Sequence, residues 1–188
     1  MFKIYVYVFD TLADWELGYV TSELNSGRFF KKDAPRVSVK TVGISKEPVK
    51  TMGGMTIVPD CVIDDIAVND KSVLLLPGGN TWDNPKHGTI VKKAEELLSV
   101  GATVCAICGA TVALANAGLL NQRPHTSNGI GFLEMTCPSY KMCIRDRSTA
   151  FRYLLNTSYK QRSISFFRFS FSFGESTGVR LSSTMFFP

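Results

Sequence analysis

The chain has 188 residues, which at roughly 150 residues per domain is one domain with room for an appendage. Hydrophobic residues at 45% and charged residues at 20% exclude a collagen-like or wholly disordered chain. No apolar run approaches the roughly 20 residues of a bilayer-crossing helix. The N-terminus enters strand-like alternation at once, without the small-residue cleavage site of a signal peptide. Five cysteines in no regular spacing fit reduced thiols in a cytoplasmic protein better than a disulfide framework. The net charge of +5 would suggest a nucleic-acid partner if it were spread over the chain. It is not. Residues 1–141 carry 14 basic and 14 acidic side chains, so the excess belongs entirely to residues 142–188, with 7 basic and 2 acidic.

In chain order, Lys3 to Phe9 alternates and is rich in β-branched and aromatic residues, which predicts a first strand. Asp14 is the expected N-cap of a helix running to about Ser26 and stopped by Gly27. Arg36 to Val42 reads as a second strand. Val49 to Val58, with Met52-Gly53-Gly54-Met55 at its centre, reads as a hairpin whose glycines supply positive φ. Ser72 to Leu76 is a continuous apolar strand of the kind buried on both faces of a parallel sheet, and it stops at Pro77-Gly78-Gly79. Ile90 to Leu98 carries a helical stripe ended by Gly101. Ala102 to Ile107 is another buried strand, and Ala110 to Ala117 a small-residue helix ended by Gly118. This alternation predicts an α/β sheet with helices on both faces.

After Tyr140 the pattern changes. Residues 148–188 hold 9 Ser and 8 of the 13 Phe. The alternation over Phe167 to Phe173 admits an amphipathic strand. Against that, Met142-Cys143-Ile144-Arg145-Asp146-Arg147 matches the conceptual translation of ATGTGTATAAGAGACAG, a transposase end sequence used in preparing DNA libraries. The expectation is a domain over 1–141, incomplete at its C-terminus, and a non-homologous tail over 142–188, artefactual or disordered. A basic aromatic tail can grip single-stranded nucleic acid, but a tail of this origin gives no reason to expect such a partner, nor a membrane.

The informative stretch is Val104 to Thr111. A buried strand runs into Cys108 and a helix of small residues starts at once, the layout of a nucleophile elbow. Ala106, Gly109 and Ala110 are the small neighbours such a turn needs. The positive end of the helix dipole favours a thiolate there. Cys105 inside the strand, Cys61 and Cys137 have no such context and read as structural thiols. A nucleophile also needs donors for a developing oxyanion. Both Pro77-Gly78-Gly79 and the elbow follow buried strands, where open α/β sheets place their ligands. The N–H groups of Gly79 and Gly109 are therefore the expected oxyanion donors.

Together these residues resemble the ThiJ/PfpI family, which has the class I glutamine amidotransferase-like fold, a flavodoxin-like three-layer α/β/α sandwich with a mostly parallel sheet. The resemblance rests on Asp14-Trp15-Glu16 after the first strand, Leu76-Pro77-Gly78-Gly79, Ala106-Ile107-Cys108-Gly109-Ala110, and Arg123-Pro124-His125-Thr126-Ser127-Asn128. It implies an intracellular homodimer with a reactive cysteine. Members include peptidases, enzymes acting on glyoxals or glycated products, hydratases, and redox-responsive chaperone-like proteins. By this resemblance Cys108 is the nucleophile and Glu16 the acidic residue beside it. The two would titrate as a pair; the bland alternative for Glu16 is a solvated first-turn carboxylate. Where many members place His after the Thr-Ser pair, this chain has Asn128, which cannot act as a base. His125, three residues earlier, is the other accessory candidate, against a plain surface-loop histidine. No metal or cofactor is expected. The expected function is a cysteine-dependent enzyme on a small carbonyl or amide substrate, an amidase or peptidase or a glyoxalase-type enzyme. The alternative is a non-enzymatic stress protein that senses oxidant through the same thiol.

Overall fold

The computed structural model describes residues 1–123, 125, 127–128 and 131–141, and the backbone of two strands over 168–172 and 180–184. Seven strands and four helices occupy the first part. They are β1 (Phe2–Tyr7), α1 (Asp14–Ser26), β2 (Val37–Gly43), β3 (Val49–Lys50), β4 (Thr56–Ile57), β5 (Cys61–Val62), β6 (Ser72–Leu76), α2 (Gly88–Ser99), β7 (Thr103–Ala106), α3 (Gly109–Asn116) and α4 (Phe132–Thr136). Five strands form a parallel sheet in the order β5-β2-β1-β6-β7, with Ile4 opposite Val39 on one side and Val73 on the other. All five residues of β6 are buried, as a strand covered on both faces must be.

The chain leaves β1 toward β2 and later resumes at β6 on the opposite side of β1. The strand order therefore reverses between β1 and β6. Right-handed crossovers on the two sides of such a point send their helices to opposite faces, and the crevice beyond the strand ends is where ligands bind. This reversal positions everything that follows.

Most expected elements stand with ends moved by a residue or two, because helix and strand ends are the least determined by pattern. Gly27 closes α1 in the left-handed region (φ 62) and returns its N–H to the Glu23 carbonyl. One cap is corrected. Ala13, in extended backbone, occupies the N-cap of α1 with no side-chain cap, and Asp14 is the first helical residue. The Asp14 carboxylate is drawn away by the hairpin, where Oδ2 accepts the Gly53 N–H at 2.6 Å. The hairpin itself pairs Val49 with Ile57 as expected, but only Gly54 of its two glycines has positive φ, at 87°. Gly53 serves a different end: a Cβ there would lie 2.9 Å from Asp14 Oδ2. β5 and α4, which the pattern did not announce, are too short to show a period.

The chain divides into two units, Met1–Arg28 with Arg36–Arg145, and Phe29–Pro35 with Asp146–Pro188. In the second, β8 (Arg168–Ser172) pairs antiparallel with β9 (Arg180–Thr184), Phe169 opposite Ser183. The described part of that alternation, Arg168–Ser172, is a strand. The remaining expectations for residues 142–188 lie outside the described residues. Among the described residues no helix is long and apolar enough to cross a membrane.

Candidate active site at the cysteine elbow

β7 delivers Ile107, whose N–H donates to the Leu76 carbonyl at 3.0 Å, and α3 begins at Gly109. Between them Cys108 is forced to φ 52 and ψ −123. Holding a non-glycine residue at such backbone angles costs about 1–3 kcal/mol. Local bonds hold it. The Cys108 carbonyl accepts from the Thr111 N–H at 3.0 Å and from Thr111 Oγ1 at 2.6 Å, and Thr111 Oγ1 is in turn bonded to Ser127 Oγ at 2.6 Å. Thr11, past the end of β1, is the other non-glycine residue with positive φ (73°) among the described residues. Its Oγ1 accepts the Asn80 N–H at 3.1 Å, tying the turn after β1 to the loop after β6. Both strained residues therefore border the same end of the sheet.

Glu16 lies in the first turn of α1, yet only 4% of it is exposed, so it is not a solvated surface carboxylate. Its Oε2 accepts the Gly78 N–H at 2.5 Å. Burial pushes its carboxyl above the ordinary value, against the lowering effect of the Gly78 bond. A Cβ on Gly78 would lie 2.7 Å from Glu16 Oε1 and 2.8 Å from Cys108 Cβ. The carboxyl and the Cys108 Cβ thus flank one glycine, and no side chain fits between them. Gly79 and Gly109 are also neighbours, since a Cβ on Gly109 would lie 3.3 Å from the Gly79 carbonyl oxygen. Neither of their N–H groups donates to an acceptor among the described residues, which leaves both available to a ligand.

The two accessory candidates separate. Asn128 Nδ2 donates to Cys108 Sγ at 3.2 Å. His125 is engaged elsewhere: Nδ1 meets the Arg123 carbonyl at 2.6 Å and Nε2 the Tyr140 hydroxyl at 2.5 Å. The other thiols behave as structural groups. Burial pushes Cys105 up to about 12 and raises Cys61, while Cys137 Sγ lies against the Val112 carbonyl at 3.6 Å. The described cysteines, Cys61, Cys105, Cys108 and Cys137, are all free. Sequence reasoning passed over Gly78, Thr11 and Trp82. Gly78 had a signal, being one of two consecutive glycines after a buried strand; Thr11 and Trp82 had none.

A strained cysteine on a strand-to-helix turn, beside a buried carboxyl at the reversal point of a parallel sheet, marks a flavodoxin-like α/β protein with a cysteine elbow. The chain belongs to the DJ-1/PfpI family, whose sequence model matches residues 2–154. It is 50% identical over 139 residues to the "Uncharacterized protease YoaZ" of Bacillus subtilis (strain 168), covering 74% of this chain and 66% of that one. It is 35% identical over 130 residues to the "Uncharacterized protease YdeA" of the same organism, covering 68% and 60%. Among solved structures it is similar to a thiJ/pfpI family protein from Bacillus anthracis, at TM-score 0.74 and 47% identity, over 78% of this chain and 69% of that one. The chain thus spans just under two thirds of the length of the first of these curated relatives and three fifths of the second.

The burial of Glu16 has a testable consequence. A carboxyl raised above its unfolded value contributes stability that is fully present below about pH 4.5 and is lost as pH rises through the folded value. Glu16→Gln keeps an acceptor for the Gly78 N–H and a donor toward Cys108 but cannot ionise. The variant is expected to lose this slope from its stability-versus-pH curve. Denaturant melts across the acidic range measure it. Stability curves superimposable on the wild type would show that Glu16 does not change its proton affinity on folding.

Proposed function

We propose that this protein is a cysteine-dependent enzyme acting on a small carbonyl or amide substrate, with Cys108 as nucleophile, Glu16 carrying the thiol proton, and Gly79 and Gly109 holding the oxyanion. The observation that carries this reading is the placement of the Glu16 carboxyl and Cys108 on either side of Gly78. The thiolate adds to the carbonyl carbon, forming a C–S bond while the C=O π pair moves to oxygen, and Glu16 supplies the proton that neutralises the alkoxide. Within this class an aldehyde or α-oxoaldehyde suits the site better than an amide. Expelling an amine needs a general acid at the leaving group, and Asn128 cannot serve while His125 is bonded to Tyr140. The protease names of the Bacillus relatives favour instead a peptide or amide substrate, so both classes belong in the test. A second copy of the chain is the partner we propose, in keeping with the family, and the cytoplasm is the proposed location. Exposed Trp15, at 53%, follows Asp14, to which the hairpin bearing exposed Met52 and Met55 is bonded.

The absence of a base at Asn128 also favours a second reading, a redox sensor. There the thiolate attacks a peroxide oxygen, giving sulfenic acid and releasing hydroxide or water, and no base is required. Incubating the full chain with methylglyoxal, with glutamine and with a peptide panel separates the two. Consumption of methylglyoxal or release of amine or peptide products supports the enzyme. No turnover, with peroxide oxidising Cys108 ahead of the other thiols, supports the sensor.

A further inference from the structure

Four buried rings form one cluster, two of them against the two oxyanion glycines, and the mechanism above uses none of them. Tyr7 and Phe9 come from β1 and its end; Trp82 and His87 come from the connection between β6 and α2. A Cβ on Gly79 would lie 2.6 Å from Phe9 Cε2, and one on Gly109 would lie 3.0 Å from Trp82 Cδ1. Each glycine therefore rests directly on a ring. Trp82 also pins the start of the loop, donating its indole N–H to the Pro77 carbonyl at 2.8 Å.

His87 joins the rings. It is 1% exposed, and its centroid lies 4.9 Å from both Phe9 and Trp82 and 5.7 Å from Tyr7. Nδ1 meets the Tyr7 hydroxyl at 2.8 Å and Nε2 meets Thr81 Oγ1 at 3.2 Å. Tyr7 is fully buried, and among the described residues its hydroxyl has no acceptor other than Nδ1, so it donates there and Nδ1 is bare. Nε2 then carries the proton and donates to Thr81, whose own hydroxyl donates onward to the Asp10 carbonyl at 3.4 Å. One neutral tautomer satisfies every group in this chain of bonds. Burial, with the nearby Lys86 charge adding to it, also disfavours the imidazolium.

Resting on the enzyme reading above, we infer that His87 is a positioning residue for the oxyanion donors: as the neutral, Nε2-protonated tautomer it links Tyr7 to Thr81 and seats the Phe9 and Trp82 rings on which Gly79 and Gly109 rest. Donors of this kind act only when held within tenths of an ångström of the developing charge, so a shift of the ring floor is felt at the oxygen and not at the sulfur.

The test uses the full chain with two substitutions. His87→Gln offers the same acceptor and donor pair as the neutral imidazole; His87→Asn is too short to span Tyr7 and Thr81. In the Asn variant kcat for methylglyoxal is expected to fall about tenfold or more, with KM little changed. Alkylation of Cys108 by iodoacetamide, which develops no oxyanion, should keep its rate. His87→Gln should recover most of kcat. Imidazole 15N spectra of the wild type should show a bare Nδ1 and a protonated Nε2, and the Gly79 and Gly109 amide signals should move in the Asn variant and return in the Gln variant. Should the wild type turn over neither methylglyoxal, glutamine nor any peptide of the panel, the enzyme reading fails. The amide signals and the tautomer then decide this inference alone. A protonated Nδ1, or Gly79 and Gly109 signals unmoved in the Asn variant, overturns it.

Discussion

Replacing Cys108 by Ser is expected to abolish turnover, by on the order of 10³-fold or more in kcat/KM, while leaving the fold in place. The side chain changes by one atom, and the positive φ at this position is maintained by backbone bonds that the sulfur does not make. Thr111 still donates through its N–H and its hydroxyl to the residue 108 carbonyl. What is lost is the proposed nucleophile. A serine hydroxyl needs a base to become one, and here the nearest accessory group is the Asn128 amide, which donates to the sulfur. Steady-state kinetics beside a thermal melt measure both halves of the expectation. A variant that keeps more than about a tenth of wild-type turnover would place the chemistry on another residue.

Replacing Gly78 by Ala is expected to damage both the site and the fold. The added methyl would lie 2.7 Å and 2.9 Å from the two Glu16 carboxyl oxygens and 2.8 Å from Cys108 Cβ. Contacts that short force a displacement, and both neighbours are fixed, one by burial and one by a strained backbone. Overpacking of this kind costs about 1–3 kcal/mol, and an ångström of misplacement at a reacting group costs about 100-fold in rate. Gly18→Ala is the matched control. It makes the same chemical change in the interior of α1, where a Cβ meets nothing within 4 Å. That variant should gain about 0.5–1 kcal/mol from helix propensity and keep full activity. Denaturant melts and activity assays on the pair distinguish a steric effect at Gly78 from a general cost of alanine. Equal behaviour of the two variants would remove Gly78 from the site.

The local sequence determined the elements whose signal is a period or a turn. β6 stands at Ser72–Leu76, the residues its continuous apolar run picks out, because a strand buried on both faces needs no alternation. The elbow was legible for a similar reason: a strand run, one cysteine and a small-residue helix leave only one place for a sharp turn. Glu16 and Asn128 were legible by family resemblance, and the cap of α1 was misread because a competing bond from Gly53 lies 39 residues away. Tertiary structure alone decided what joins distant segments. The Glu16–Gly78 bond spans 62 residues and the Tyr7–His87 bond 80, and both exist because the strand order reverses between β1 and β6. A periodicity reports which face of an element is buried. It carries no record of which element arrives to cover that face, and so Gly78 as the partition between acid and thiol, and the ring floor joined by His87, could be read only once the strands were in order.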